Sequence, residues 1–382
     1  MIYLDNSATT RPLDRVIETM SACMRSAYFN ASAAYRPAVD VDRAMRECRR
    51  LIAAQAGAQE GDVIFTGGGT EGDNLAILGL AKTLRKPGNF VISAVEHPAV
   101  EQTVRRVVQM GHEVRVMPVD SRGVVDLEAA QRCIDEHTAL VSCMQVGNET
   151  GAVQPIVPLC ALARRKNPQV KVHVDGVQGF MRVPVHMGRM GIDMYTLSGH
   201  KIHGPKGVGA LIVRGVRLDP QMTGGGQERG IRSGTYDSPA ILGLGEAIRA
   251  FCEDREAVQR MAAMKARLWE RLSRVEGVRL NGPAPGEEDS APHILSVSFE
   301  GVRGEVMRNA LEGAGILVST GSACSSHRQK VSPALRAMGL STEQADGTVR
   351  VSLGMLNTME EMEEAAAQMQ AIYAALRPFR RR

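Results

Sequence analysis

The chain alternates short apolar runs with longer segments in which apolar residues recur at helical spacing. The short runs predict β-strands, and the longer segments between them predict α-helices. In the first half of the chain the predicted strands cover residues 63–66, 90–93, 114–117, 139–145 and 170–174. Strands and helices that alternate in this way predict an α/β fold with a mostly parallel sheet covered by helices on both sides.

The pattern changes beyond Gly224. Residues 239–275 predict one long helical stretch that links two domains. After it the sequence predicts strands at 294–299, 317–320 and 348–353, and helices at 305–312, 333–338 and 359–376. This mixture is typical of a smaller α+β domain. We therefore expect a large domain over 15–255, and a small domain built from 1–14 together with 256–382.

Composition and charge narrow the classes of function. The 382 residues are 44% hydrophobic, which is enough for a large core, and their net charge is only +4. We therefore expect no direct nucleic-acid or membrane partner. No uninterrupted apolar run approaches a membrane span of about 20 residues, and residues 1–6 lack the features of a signal peptide. The seven cysteines include no Cys-x-x-Cys pair, so we expect a reducing compartment, the cytoplasm.

Lys201 is the first candidate for chemistry. It lies in a glycine-rich loop between apolar runs at 194–197 and 210–213, a pattern that predicts strand, tight loop and strand. A lysine that forms a Schiff base needs such a setting, because partial desolvation lowers its pKa. The stretch alone leaves open an ordinary surface lysine in a turn.

Further polar residues follow other predicted strands. Residues 66–71 read Thr-Gly-Gly-Gly-Thr-Glu and open a helix, whose unpaired N–H groups would bind an anion. Asp175 ends a strand, where ligands of open α/β sheets collect, and it could hold a protonated ring nitrogen. Gln178 could reach a ring oxygen nearby, and His97 could stack on a ring or exchange a proton. Each of these signals alone also fits a helix cap, a turn or a structural histidine.

Together these groups match a pyridoxal 5'-phosphate (PLP) site: an amine for the aldehyde, a cradle for the phosphate, an acid for the ring nitrogen and an imidazole. Over almost its whole length the chain also resembles the class V aminotransferase family of fold type I PLP enzymes, and within it the cysteine desulfurases. The motifs that carry the resemblance are YLDNSATT at 3–10, GTEGDN at 69–74, EH at 96–97, NETG at 148–151, HVD at 173–175, SGHK at 198–201, GGGQERGIRSGT at 224–235, GSAC at 321–324 and RVSLG at 350–354. The resemblance implies PLP as the cofactor and a seven-stranded type of sheet in the large domain.

The resemblance also implies a role for each motif residue. It makes Lys201 the lysine that binds the aldehyde of PLP and Cys324 the thiol that receives sulfur, with His97 acting at the ring. It places Gly69, Thr70, Ser198 and His200 around the phosphate, Thr235 on the phosphate of the partner subunit in a homodimer, Asp175 and Gln178 at the ring, and Asn148 with Arg350 on the substrate carboxylate. A planar guanidinium suits a carboxylate, and the basic residues near Cys324 favour its thiolate.

The expected function is that of a cysteine desulfurase, which converts L-cysteine to L-alanine and leaves a persulfide on Cys324. The sulfur would pass to an acceptor protein such as an iron–sulfur scaffold or a tRNA-thiolation protein. A selenocysteine lyase or related PLP lyase is an alternative with the same ring contacts. An alternative from another class is a metal-dependent hydrolase with His173, Asp175, His200 and His203 as ligands, although no His-Glu-x-x-His helix supports it.

The sequence departs from the family pattern at three places. Residues 30–35 read Asn-Ala-Ser-Ala-Ala-Tyr where many members have Asn-Pro-Ser-Ser and then a histidine. Gly147 stands where an asparagine is common, and Thr235 is followed by Tyr236 and Asp237. These departures leave Lys201 and Cys324 in place, so the expected reaction is unchanged.

Overall fold

The computed structural model describes residues 1–320 and 332–379. Cys324 therefore lies outside the described residues. The strands are β1 (Ile2–Tyr3), β2 (Val63–Thr66), β3 (Asn89–Ser93), β4 (Glu113–Met117), β5 (Thr138–Ser142), β6 (Lys171–Asp175), β7 (Met194–Ser198), β8 (Gly209–Val213), β9 (Val278–Leu280), β10 (Ile294–Phe299), β11 (Ile316–Leu317), β12 (Ser319–Thr320) and β13 (Thr348–Ser352). The α-helices are α1 (Asp14–Ser26), α2 (Arg36–Ala56), α3 (Gly69–Ala81), α4 (Pro98–Gln109), α5 (Leu127–Cys133), α6 (Ile156–Lys166), α7 (Met187–Met190), α8 (Ser238–Glu253), α9 (Ala257–Leu272), α10 (Gly304–Gly313), α11 (Pro333–Ala337), α12 (Thr342–Asp346) and α13 (Met359–Leu376).

The large sheet has seven strands in the part of the chain described, in the order β2-β8-β7-β6-β5-β3-β4. Strands β7, β6, β5, β3 and β4 pair in parallel, whereas β8 is antiparallel to both of its neighbours. The predicted α/β class and mostly parallel sheet are confirmed. Because the parallel strands share one direction, β3, β5, β6 and β7 end at the same edge of the sheet.

Helices cover both faces of this sheet. Successive strand residues point to opposite faces, so Ile64 and Phe65 belong to two different apolar clusters. The cluster of Ile64 is closed by α3 and α4, and the cluster of Phe65 is closed by α2, α6 and α8. Burial on both sides explains why these strands read as continuous apolar runs in the sequence.

A smaller antiparallel sheet, in the order β12-β13-β10-β9, lies in the C-terminal part. The N-terminus joins this part, because β1 pairs in parallel with β11, and Asp5 forms a bridge with Ser352. Helix α13 packs against α9. The proposed domain boundaries stay a prediction. No helix in the described ranges is long and apolar enough to cross a membrane.

The prediction of one long helix over 239–275 is wrong. Two helices occupy this region, α8 and α9, and residues 254–256 separate them. Asp254 leaves the helical conformation, with φ −89° and ψ 75°, and its carboxylate pairs with Arg260. The break falls in the charged run 253–256, which offers no apolar side chain to bury. It allows α8 to pack on α1 and α2 while α9 packs on α13.

Candidate active site

Lys201 lies at the edge where the parallel strands end. Strand β7 stops at Ser198, and a short turn over 199–201 brings the lysine to the N-terminal segment. Its Nζ donates to the carbonyl oxygens of Ser7 (2.5 Å) and Ala8 (2.8 Å). The Thr10 hydroxyl donates to the backbone oxygen of His200 at 2.9 Å. The first ten residues therefore hold the lysine loop from one side.

The predicted anion cradle is the N-terminal turn of α3. The helix begins at Gly69 directly after β2, and Gly68 has φ 146°, a conformation that favours glycine. A Cβ at Gly69 would lie 2.6 Å from Cγ2 of Val177, so only glycine fits this close approach. The turn lines a cavity of about 710 Å³ together with Thr70, Ser198 and His200. Its first N–H groups are available to an anion such as a phosphate.

His200 contributes a neutral ring to this cavity. Burial and the charges of Lys201 and Lys206 lower the pKa of His200 to about 4. Its Nδ1 lies 3.1 Å from the hydroxyl oxygen of Thr9. At neutral pH the ring can therefore offer a hydrogen bond without adding a charge.

Asp175 ends β6 and is buried. Its Oδ1 accepts the N–H of Val177 at 2.9 Å. Burial raises the pKa of Asp175, while His97, the Val177 N–H and Lys201 counteract that rise. A cationic ring nitrogen beside this carboxylate would favour its ionised form further. Gln178 is also buried, and its Nε2 donates to Ser7 O at 3.0 Å.

His97 follows β3 and caps helix α4. Its Nδ1 accepts the N–H of Ala99 at 3.1 Å, so the neutral ring carries its proton on Nε2. Burial, with help from the charge of Lys201, lowers the pKa of His97, although Asp175 acts in the opposite direction. The helix-capping alternative and the functional one are thus compatible, because each uses a different ring nitrogen.

Arg350 reaches the same region from β13 and is 3% exposed. Its Nη1 donates to the backbone oxygen of Asn148, and its Nη2 donates to Oδ1 of Asp5, both at 2.8 Å. Its Nε is buried and has no hydrogen-bond partner among residues 1–320 and 332–379. Arg350 also lines a cavity together with Lys201, so its guanidinium could bind a substrate carboxylate there.

Most of the predicted site residues meet in one cavity of about 230 Å³. Its lining includes Gly69, Thr70, His97, Asn148, Asp175, Gln178, Ser198, His200, Lys201 and Arg350. An amine, a carboxylate, an imidazole and a helix N-terminus in one cavity are the groups that PLP requires, so the residues present fit this cofactor. Thr235 is exposed and does not line this cavity, and Cys324 lies outside the described residues.

Asp73 also lines the cavity, and sequence reasoning missed it. Its side chain is 1% exposed, and its Oδ1 lies 3.5 Å from Nε2 of His173. Burial and the nearby charge of Asp175 raise the pKa of Asp73 well above its usual range. In the sequence Asp73 lies in the polar first half of the helix, before the apolar run 75–81, and no spacing there distinguishes it from Glu71.

The metal-hydrolase alternative finds no support in this geometry. His173 bonds through its two nitrogens to Ser142 and Thr196, and burial lowers its pKa to about 3. His203 is held by the backbone of Arg11 and Met355. Within 1–320 and 332–379, no three His, Cys, Asp or Glu side chains meet in a group that could hold a metal ion.

Comparisons with known proteins agree with this geometry. The family model described as "Aminotransferase class-V" matches residues 2–364. The cysteine desulfurase IscS of Proteus mirabilis is 39% identical over 384 residues, covering 98% of this chain and 93% of the relative. A solved structure titled "NIFS-LIKE PROTEIN" has a TM-score of 0.91 and 36% identity, with 98% and 100% of the two chains covered. Another, titled "SspA in complex with cysteine", has a TM-score of 0.82 and 32% identity, with 94% and 100% covered.

Proposed function

This chain belongs to the class-V aminotransferase family, and on that premise we propose that it is a PLP-dependent cysteine desulfurase. It converts L-cysteine to L-alanine and passes the sulfur on. The observation that carries the proposal is the meeting of Lys201, Asp175 and the N-terminus of α3 in one cavity. The relatives named as cysteine desulfurases, which match nearly the whole chain, support the same reaction.

The proposed assignment of groups to PLP follows the cavity. The N-terminal turn of α3, with Ser198 and His200, binds the phosphate, and Asp175 binds the ring nitrogen. Thr235 completes the phosphate site of the partner subunit in a homodimer. When bound, PLP supplies a ring that accepts the electrons left at the substrate Cα after its proton is removed.

Lys201 is the proposed base for that proton. The carbonyl oxygens of Ser7 and Ala8 orient its Nζ. His97, neutral with its proton on Nε2, stacks on the ring and donates a hydrogen bond there. Arg350 and Asn148 fix the carboxylate of L-cysteine.

We assign the sulfur-accepting thiol to Cys324. Its thiolate attacks the sulfur atom of the substrate, so that an S–S bond forms as the C–S bond breaks. The electron pair of the broken bond goes to the substrate carbon, which takes up a proton and becomes the methyl group of L-alanine. The resulting persulfide is then passed to an acceptor, for which an iron–sulfur scaffold or a tRNA-thiolation protein are candidates. The cysteine content fits a cytoplasmic location.

The experiment combines absorption spectroscopy with mass analysis. Purified protein supplied with PLP is expected to gain a visible band that changes when L-cysteine is added, and Cys324 to gain the mass of one sulfur atom. K201A should lose the borohydride-reducible link to PLP. C324A should keep that link but form no persulfide. Sulfide release by C324A at the unmodified rate would refute the assignment of Cys324. Turnover of L-selenocysteine but not of L-cysteine would favour the lyase instead.

A further inference from the structure

Residues 3–10 are part of the sequence resemblance, yet none of the roles assigned so far uses the acid of this segment, Asp5. The Asp5 side chain is 22% exposed and the Arg350 side chain 4%, and they form an ion pair at 2.8 Å. The two residues are 345 positions apart in the chain. The fold therefore brings an acid to the residue proposed to bind the substrate carboxylate.

The backbone of Asp5 is fixed in place. It forms a parallel bridge with Ser352, in the strand that carries Arg350. The Asp5 carbonyl oxygen accepts the N–H of Ala8 at 3.0 Å and the hydroxyl of Tyr3 at 3.1 Å. A carboxylate on such a backbone has little freedom, so its hydrogen bond restricts the guanidinium.

Contacts within the protein hold both Nη atoms of the Arg350 guanidinium. Nη1 is held by Asn148 O, and Nη2 is held by Asp5 Oδ1. Nε is buried and has no hydrogen-bond partner among the described residues. Since a guanidinium is planar, fixing both Nη atoms fixes the orientation of the whole group, which lines the cavity together with Lys201.

We propose that Asp5 is a positioning residue, which holds the guanidinium of Arg350 in the orientation that receives the carboxylate of the substrate. The inference rests on the proposed function and adds a determinant of specificity to it. Substrates with a carboxylate on Cα depend on Asp5, and amines that lack the carboxylate do not. Asp5 touches neither the substrate nor PLP in this role.

The test uses two ligands that differ only in the carboxylate, L-alanine and ethylamine. Neither contains sulfur, so no sulfur transfer accompanies binding, and the dissociation constant follows from the change in the visible band of the PLP-loaded protein. Asp5→Ala removes the hydrogen bond and the charge, whereas Asp5→Asn removes the charge but keeps an oxygen for Nη2. Asp14→Ala is the matched control, because Asp14 pairs with Arg11 in an exposed ion pair away from the cavity.

Asp5→Ala is expected to weaken L-alanine binding about tenfold, the size of one lost charge-assisted hydrogen bond, and to leave ethylamine binding within about twofold. Asp5→Asn should bind L-alanine at least about fivefold more tightly than Asp5→Ala, since the oxygen that orients Nη2 remains. For L-cysteine, KM should rise in Asp5→Ala while kcat changes less. Asp14→Ala should match the unmodified protein with both ligands.

Three results would overturn the inference: unchanged L-alanine binding in Asp5→Ala, an equal loss for ethylamine, or equal binding by the two Asp5 variants. If Asp5→Ala does not fold, Asp5→Ser takes its place, because the shorter side chain cannot span the distance to Nη2. A different outcome would bear on the proposed function itself. If the unmodified protein forms no visible band with PLP, or binds L-alanine and ethylamine equally, both proposals fail.

Discussion

The buried pair between Arg49 and Glu228 allows a quantitative test of what holds the edge of the large sheet. The Glu228 side chain is 2% exposed and the Arg49 side chain 15%. Both carboxylate oxygens of Glu228 accept from the guanidinium of Arg49, and Oε2 also accepts the N–H of Phe65 at 3.0 Å. Phe65 lies in β2, an edge strand among residues 1–320 and 332–379, so Glu228 satisfies a backbone donor that no other strand of this part of the chain bonds.

The perturbation is Glu228→Ala. Removing one partner of a buried ion pair costs about 3–5 kcal/mol, and leaving a buried N–H without an acceptor costs about 1–3 kcal/mol. Two remaining contacts of Arg49 reduce the summed cost. Its guanidinium keeps the hydrogen bond to Val63 O at 2.8 Å, and its Cζ stays 4.2 Å from the centroid of the Phe65 ring. We therefore expect the free energy of unfolding to fall by about 3–4 kcal/mol.

The assay is urea unfolding followed by far-UV circular dichroism, with the slope m compared between variants. Glu101→Ala is the matched control, since Glu101 pairs with Arg105 on an exposed helix face, and its loss should cost below about 0.5 kcal/mol. Glu228 and Arg229 have φ values of 49° and 58°, and they lie in the segment that carries Thr235. Glu228→Ala should therefore also weaken PLP binding. A loss below about 1 kcal/mol at unchanged m would refute the reasoning.

Two glycine substitutions and the protonation of one buried glutamate provide three further predictions. Gly69→Ala places a Cβ 2.6 Å from Cγ2 of Val177, so PLP affinity should fall about tenfold or more in a fluorescence titration, and urea unfolding should show a loss of about 1–3 kcal/mol. Gly176→Ala places a Cβ 1.9 Å from Cζ of the buried Tyr195, and urea unfolding should show a loss of about 1–3 kcal/mol or more. Burial raises the pKa of Glu96 to about 8, so the folded protein retains a proton that the unfolded chain releases above about pH 4.5. The retained proton therefore stabilises the folded state fully below about pH 4.5, and this stabilisation is lost as the pH rises to about 8. Melting curves from pH 5 to 8 should show the melting temperature of the unmodified protein falling with pH, and Glu96→Gln should remove this fall.

Local patterns were sufficient to predict most of the elements. Residues 63–66 and 294–299 form strands with the predicted bounds, and the helix over 359–376 agrees as well. Gly57 ends α2 in the left-handed conformation, as a C-cap glycine should. These features depend on contacts between near neighbours in the chain, which the sequence displays directly.

Contacts between distant residues could not be predicted in this way. Asp5 binds Arg350, and Arg49 binds Glu228, across separations of 345 and 179 positions. Asp73 belongs to the site because the fold buries it near Asp175, and no spacing in the sequence predicts that proximity. The meeting of Lys201, His97 and Asp175 could be predicted from the sequence, because each closely follows a predicted strand and parallel strands end together.

The contact between residues 1–10 and the lysine loop has a consequence for the order of synthesis and cofactor binding. Ser7 and Ala8 hold the amine of Lys201, and Ser352 N donates to the carbonyl oxygen of Leu4 at 2.7 Å. During synthesis residues 1–10 leave the ribosome long before β13, the strand that secures them. The cavity can therefore capture PLP only after β13 has also been synthesised.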